Sequence, residues 1–142
     1  RRRLQQNCIP DQHVVEIPSA YTAQCFITTD QDNNQITAFH PGAMGEAHQN
    51  KVADAANISS GIVAPDGRDA MLQHSRDFAT LGIPFMFDPG QNLPLFSKDE
   101  LLTCIDQATW CVMNDYESQL MMKITELTLD DIASQVHALI VT

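Results

Sequence analysis

The chain has 142 residues, 44% of them apolar, and a formal net charge of −10. That length and composition fit one domain with a buried core, and the acidic balance excludes a nucleic-acid partner, because phosphate backbones are held by basic surfaces. No apolar run reaches the ~18 residues of a membrane-spanning helix and no signal peptide is read at the start, so no membrane partner is expected.

From the N-terminus, Arg1-Arg2-Arg3 opens "RRRLQQNCIP", which reads as the tail of a helix with a solvated basic end. Residues 1–12 are assigned to that tail and a linker. Residues 13–44 have β texture: "HVVEI", "TAQCFITTD" and "NQITAFHPGAM". The turn-rich "DQDNN" between the last two is a hairpin signature. Over residues 45–142 helix and strand alternate. "GEAHQNKVADA" reads as a helix, "ISSGIVAP" as a short strand, and Asp66 as the start of the helix "DGRDAMLQHSRDFATLG". Met71, Phe78 and Leu81 share a face of it, with Ser75 between them, and Gly82 ends it as a C-cap. "IPFMFDPG" is the next strand, and Ser97 and Glu100 have capping-box spacing at the start of "SKDELLTCIDQA". "TWCVMN" is a strand, "DYESQLMMKI" a helix, Thr128 the cap of "LDDIASQVH", and "ALIVT" a last strand. Strands spaced by amphipathic helices predict βα units and a parallel sheet. The expected fold is a doubly wound α/β body preceded by a small antiparallel appendage over its ligand edge. A domain seldom ends on a buried strand, so the chain is read as a piece of a longer protein.

Cys8, Cys25, Cys104 and Cys111 show neither CxxC nor zinc spacing. Three of them sit in apolar runs, where cysteine behaves as a small hydrophobe, so a reduced, cytoplasmic protein is expected. The histidines do not cluster, and there is no GxGxxG, no GxxxxGK[ST] and no GxSxG.

Four places carry candidate chemistry. Asn114 and Glu117 form N-x-x-E where a strand meets a helix. A carboxylate there either holds hydrated Mg²⁺ bridged to phosphate or decorates a helix N-terminus. Asp88, in "FDPGQNLP", leaves a strand at the same sheet edge, as a ligand or as an Asx cap in a turn. His40, in "AFHPGAM", precedes a helix start that can meet an anion, or is structural. Asp66, with Asp69 three residues on, is a cap or a ligand.

In this order the pieces resemble the ribokinase-like (PfkB) family of carbohydrate and nucleoside kinases. "TAQCFITTDQDNNQITAFHPGAM" looks like the family's β lid, "MNDYE" matches its N-x-x-E motif, and "ALIVT" looks like the strand before its nucleotide-binding turn. "GIPFMFDPGQNLPLF" is closest in tone to adenosine-kinase-like bacterial members or general sugar kinases. The resemblance implies a lid at residues 13–44 on part of a nucleotide-binding core at 45–142. It implies transfer of the γ-phosphoryl group of ATP to a hydroxymethyl group of a sugar or nucleoside, adenosine or ribose in type. Asn114, Glu117 and Asp88 would then serve Mg²⁺ and the phosphates, with Glu117 reaching the metal through water. Thr142 would lie at the nucleotide, and Cys25 and Thr37 at lid positions facing the substrate. Paired lids make a homodimer in some relatives. Two departures stand out. The strand end matching the family's sugar-holding acid is Val63-Ala64-Pro65, with Asp66 displaced, and the G-A-G-D motif that carries the catalytic base is absent. The competing expectation is a non-catalytic binding domain derived from such a kinase, and on either view the chain alone is expected to be inactive.

Overall fold

The structure is a computed structural model and describes residues 1–142. A short helix, α1 (Arg2–Gln6), leads into irregular chain. Strands β1 (Gln24–Thr29) and β2 (Gln35–His40) pair antiparallel, from Gln24 opposite His40 to Thr29 opposite Gln35. Their turn is closed by Asp30, whose carboxylate accepts the backbone N–H groups of Asp32 and Asn34 at 2.8 and 2.9 Å. Asn33 takes the left-handed φ of 64° that Asn tolerates. Every residue of both strands is exposed, so the hairpin is held by its own ladder and by its base. There the Ala43 N–H donates to the Tyr21 carbonyl at 2.7 Å. Gly42 makes this possible: its φ is +51°, and a Cβ would lie 2.2 Å from the Tyr21 oxygen.

Two expectations fail in this region. "HVVEI" forms no strand, because β1 and β2 pair only with each other and offer it no ladder. Turns at Asp11–Val14 and Ile17–Ala20 enclose it instead. "GEAHQNKVADA" is not one α-helix but two stretches of 3₁₀ helix, Gly42–Gln49 and Val52–Asp54. Gly42 and Gly45 weaken helix, and Asn50 and Lys51 are extended between the two stretches.

The body alternates as predicted: β3 (Gly61–Val63), α2 (Arg68–Leu81), β4 (Phe85–Phe87), a 3₁₀ turn (Gly90–Leu95), α3 (Lys98–Gln107), β5 (Trp110–Met113), α4 (Asp115–Thr125), α5 (Leu129–Gln135) and β6 (Ala138–Val141). The four strands form one parallel sheet in the order β3-β4-β5-β6. Right-handed crossovers between strands taken in sequence order put every helix on the same face. The burial agrees. Val63, Phe87 and Cys111, aligned across the sheet, are buried with Phe85 and Met113 among Met71, Phe78, Leu101, Ile105, Met121 and Ile132. On the opposite face Ile62, aligned with Met86 and Trp110, is 65% exposed. The architecture is thus α/β, a parallel sheet flanked by helices with a separate antiparallel pair. No helix is long and apolar enough to cross a membrane.

The helix ends follow the sequence closely. Gly82 is the left-handed C-cap of α2. Full capping boxes open α3 (Ser97, Glu100), α4 (Asn114, Glu117) and α5 (Thr128, Asp131). Asp66 is not the cap of α2. Gly67 holds that position, and the carboxylate of Asp66, one residue too early, accepts only the Gly67 N–H at 2.7 Å. Leu81 is 48% exposed rather than on the buried face of Met71 and Phe78; it is the last residue of the helix, next to the Gly82 cap.

Candidate functional site

Because the strands are parallel, the residues that follow them lie at one edge of the sheet. Asp88 follows β4 by one residue, Asn114 follows β5 and Thr142 follows β6. These three, with Glu117, Pro65 and Gly90, line a cavity of about 230 Å³. Its parts are fixed by backbone bonds. The Thr142 N–H donates to the Met113 carbonyl, and the Asp115 N–H donates to the Thr142 carbonyl, both at 3.1 Å. The Asp88 N–H donates to the Val63 carbonyl at 2.9 Å. Gly90, with a φ of +48°, packs under Pro65, where a Cβ would lie 2.4 Å from the Pro65 ring.

The side chains at this corner are anionic. Asn114 Oδ1 accepts the Glu117 N–H, and the Asn114 N–H donates to Glu117 Oε2, both at 2.8 Å. The helix-cap reading of N-x-x-E is therefore realised. It occupies one carboxylate oxygen of Glu117 and leaves Oε1 without a protein partner. Burial, and then the nearby Glu117 carboxylate, push the Asp88 carboxyl above its ordinary range, against a hydrogen bond from the Gly90 N–H. No Lys, Arg or His lines the cavity. Two carboxylates in mutual repulsion, with free oxygens and no basic partner, suit a hydrated divalent cation, which binds oxygen and keeps most of its waters. They repel a bare phosphate.

A second cavity, of about 330 Å³, lies next along the same edge. Pro65 and Gln91 line the first cavity; their sequence neighbours Asp66 and Asn92 line the second. Phe39, Met44 and Leu95 give it an apolar wall. The Arg68 guanidinium at its rim is engaged by Asp69 at 3.1 Å and by Glu100. Cys25 pairs with Phe39, and Thr37 with Ile27, so both lie on the hairpin face that carries Phe39. Neither lines either cavity. His40 is on the opposite hairpin face and lines neither. Phe39 and Met44 lie within "AFHPGAM" and Asn92 within "FDPGQNLP", the stretches marked by His40 and Asp88, but no residue type at these positions or at Leu95 announces a site by itself.

The sequence profile described as "pfkB family carbohydrate kinase" matches residues 1–142. A nucleoside kinase of Methanocaldococcus jannaschii is 35% identical over 122 residues, which are 85% of this chain and 39% of that protein. The crystal structure of that organism's nucleoside kinase, an archaeal member of the ribokinase family, superposes with a TM-score of 0.85. It is 29% identical over 99% of this chain and 46% of its own. The nucleoside kinase of Burkholderia thailandensis in complex with inosine is 48% identical, with a TM-score of 0.93 over 99% of this chain and 46% of that one. In complex with ADP-inosine the TM-score is 0.91, over 99% of this chain and 44% of that one. The chain thus spans less than half the length of these relatives.

Proposed function

Since this chain belongs to the pfkB family of carbohydrate kinases, we propose that the whole protein is an ATP-dependent nucleoside kinase that phosphorylates the hydroxymethyl group of a nucleoside. The observation that carries this reading is the meeting of Asp88, Asn114, Glu117 and Thr142 in one cavity at the strand ends, without a basic side chain. Phosphoryl transfer is mostly positioning and charge neutralisation, and here neutralisation falls to a cation. Mg²⁺ fits the donors present, and when bound it would offset the charge of the phosphates. Glu117 would hold it through a water, and Asp88, which lines the same cavity, would add a second carboxylate. Asn114 keeps the Glu117 carboxylate in place through the capping box. Thr142 would border the nucleotide, and Cys25 and Thr37 would face the substrate from the hairpin acting as a lid. The catalytic base lies outside these residues. A nucleoside is favoured over free ribose because β3 ends in Val63-Ala64-Pro65 rather than an acid, and because both relatives described above are nucleoside kinases.

Further parts of the reading rest on lesser support. Residues 13–44 would form the lid and 45–142 part of the nucleotide-binding core. The outward hairpin face carries Phe26 and Ile36, 67% and 78% exposed, which supports pairing of two lids in a homodimer. Four free cysteines support a cytoplasmic protein. The deciding experiment incubates the full-length protein with ATP, Mg²⁺ and single nucleosides or sugars and measures ADP. The expected result is Mg²⁺-dependent ADP release on addition of a nucleoside. Nucleoside binding without ADP release would instead mean a non-catalytic binding protein.

A further inference from the structure

Two loops meet beside Asp88, and they interlock. The loop after β3 carries Pro65 and Asp66; the loop after β4 carries Asp88, Gly90 and Asn92. Three contacts fasten one to the other. The Asp88 N–H donates to the Val63 carbonyl at 2.9 Å. Asn92 Nδ2 donates to the Asp66 carbonyl at 2.6 Å. Between these bonds Gly90 meets the Pro65 ring so closely that a Cβ on it would lie 2.4 Å from Pro65 Cγ and 3.6 Å from Pro65 Cβ. Carbon atoms in contact sit about 3.5–4.0 Å apart, so no side chain fits at Gly90 while the ring keeps its place.

The same residue turns the chain. Gly90 has a φ of +48°, which costs a residue with a Cβ free energy and glycine almost none. In this turn the Gly90 N–H is the one hydrogen-bond donor directed at the Asp88 carboxylate, and a Cβ at Gly90 would also lie 3.6 Å from Asp88 Oδ1. No Lys, Arg or His lines the cavity, so no ion pair sets where that carboxylate sits. Its place is set by the turn, and the turn is seated on Pro65. A carboxylate meant for a cation has to be held in position before the cation arrives, because neighbours that orient a ligand control its affinity nearly as much as the ligand itself.

Resting on the kinase reading, in which Asp88 serves the cation, we infer that Gly90 and Pro65 are paired positioning residues: the bare α-carbon and the ring interlock, and together they hold the Asp88 carboxylate where Mg²⁺ meets it. The test uses the full-length protein and two readouts, the Mg²⁺ concentration for half-maximal rate and the Mg²⁺ concentration that gives a fixed rise in Tm. Gly90→Ala is expected to raise both about 10-fold, with KM for the nucleoside within about 2-fold. Pro65→Ala removes the ring atom nearest the new Cβ, so in that background Gly90→Ala should cost less than about 3-fold. In Asp88→Asn, where the positioned charge is gone, it should cost less than about 2-fold. If Gly90→Ala does not fold, Gly90→Asn carries the same comparison, since Asn already holds a left-handed φ at Asn33 and Asn57. An unchanged Mg²⁺ requirement in the Gly90 variant overturns the inference. An equal loss with and without the Pro65 ring overturns the pairing, and an equal loss in Asp88→Asn shows that Gly90 does not act through Asp88. A wild type that releases no ADP with any nucleoside fails the kinase reading alone, and the thermal shift then still decides the pair; a wild type with no Mg²⁺ shift overturns it.

Discussion

The Asp88 carboxyl is held above its ordinary range by burial and by Glu117. The folded protein therefore binds more protons at this site than the unfolded chain between pH ~3.8 and the raised folded value, and stability falls as pH rises through that window. The contribution is fully present below the unfolded pKa and gone above the folded one, so Asp88 costs stability once it is ionised, a cost that a bound cation would relieve. Asp88→Asn is expected to raise the melting temperature at pH 7 without metal, to show little difference below pH ~3.8, and to lose stabilisation by added Mg²⁺. Thermal melts at both pH values, with and without Mg²⁺, check this; an Asn variant less stable than wild type at pH 7 would remove the charge argument. Glu117 has two separable tasks. Gln also serves at the third position of a capping box, so Glu117→Gln keeps the helix start and removes the charge. In the full-length enzyme it should weaken Mg²⁺ use about 10- to 100-fold, while stability changes by only about 0.3–1 kcal/mol. Titrating the rate against Mg²⁺ separates these effects, and an unchanged magnesium dependence would reduce the N-x-x-E quartet to a cap.

The hairpin β1–β2 is an element that the body does not need in order to fold. All its strand residues are exposed, and no hairpin residue belongs to the buried core. Replacing Gln24–His40 by a short Gly-Ser linker in the full-length protein should therefore leave the α/β melting transition within about 0.5 kcal/mol, as surface changes usually do. It should raise KM for the nucleoside, since the proposed lid, with Cys25 and Thr37, leaves with it. Calorimetry and steady-state kinetics on one preparation test both halves; a collapsed transition would mean the hairpin is structural. At this scale the sequence was a good guide where local chemistry decides. The capping boxes at Ser97 and Thr128 and the left-handed Gly82 formed as their residue types dictate. It misled where a neighbour decides. "HVVEI" is apolar enough for a strand and finds no ladder, and the helix-like "GEAHQNKVADA" is broken into 3₁₀ turns by Gly45 and the extended Asn50-Lys51.

For the molecule as a whole, the meeting of Asp88, Asn114 and Thr142 was legible because each directly follows a strand, and parallel strands carry such residues to one edge. The second cavity was not. It draws on residues 39, 44, 66, 92 and 95, and no local pattern states which loops meet. The corner has two carboxylates, no basic side chain and no G-A-G-D base motif. The 142-residue chain by itself is accordingly expected to release no ADP from ATP with any nucleoside, in an assay that detects turnover by the full-length protein. Nucleoside-dependent release by the isolated chain would show that the base lies within these residues after all. The strand order β3-β4-β5-β6 is also the order of synthesis. β4, β5 and β6 each pair with the strand made just before them, so the sheet can grow in the direction of translation. Emergence at about 5–20 residues per second is slow against helix formation in about a microsecond. Assembly then follows the ribosome, with each βα unit settling on its predecessor. The corner takes a residue from beyond each of β4, β5 and β6, so it is complete in the nascent chain only once β6 has docked.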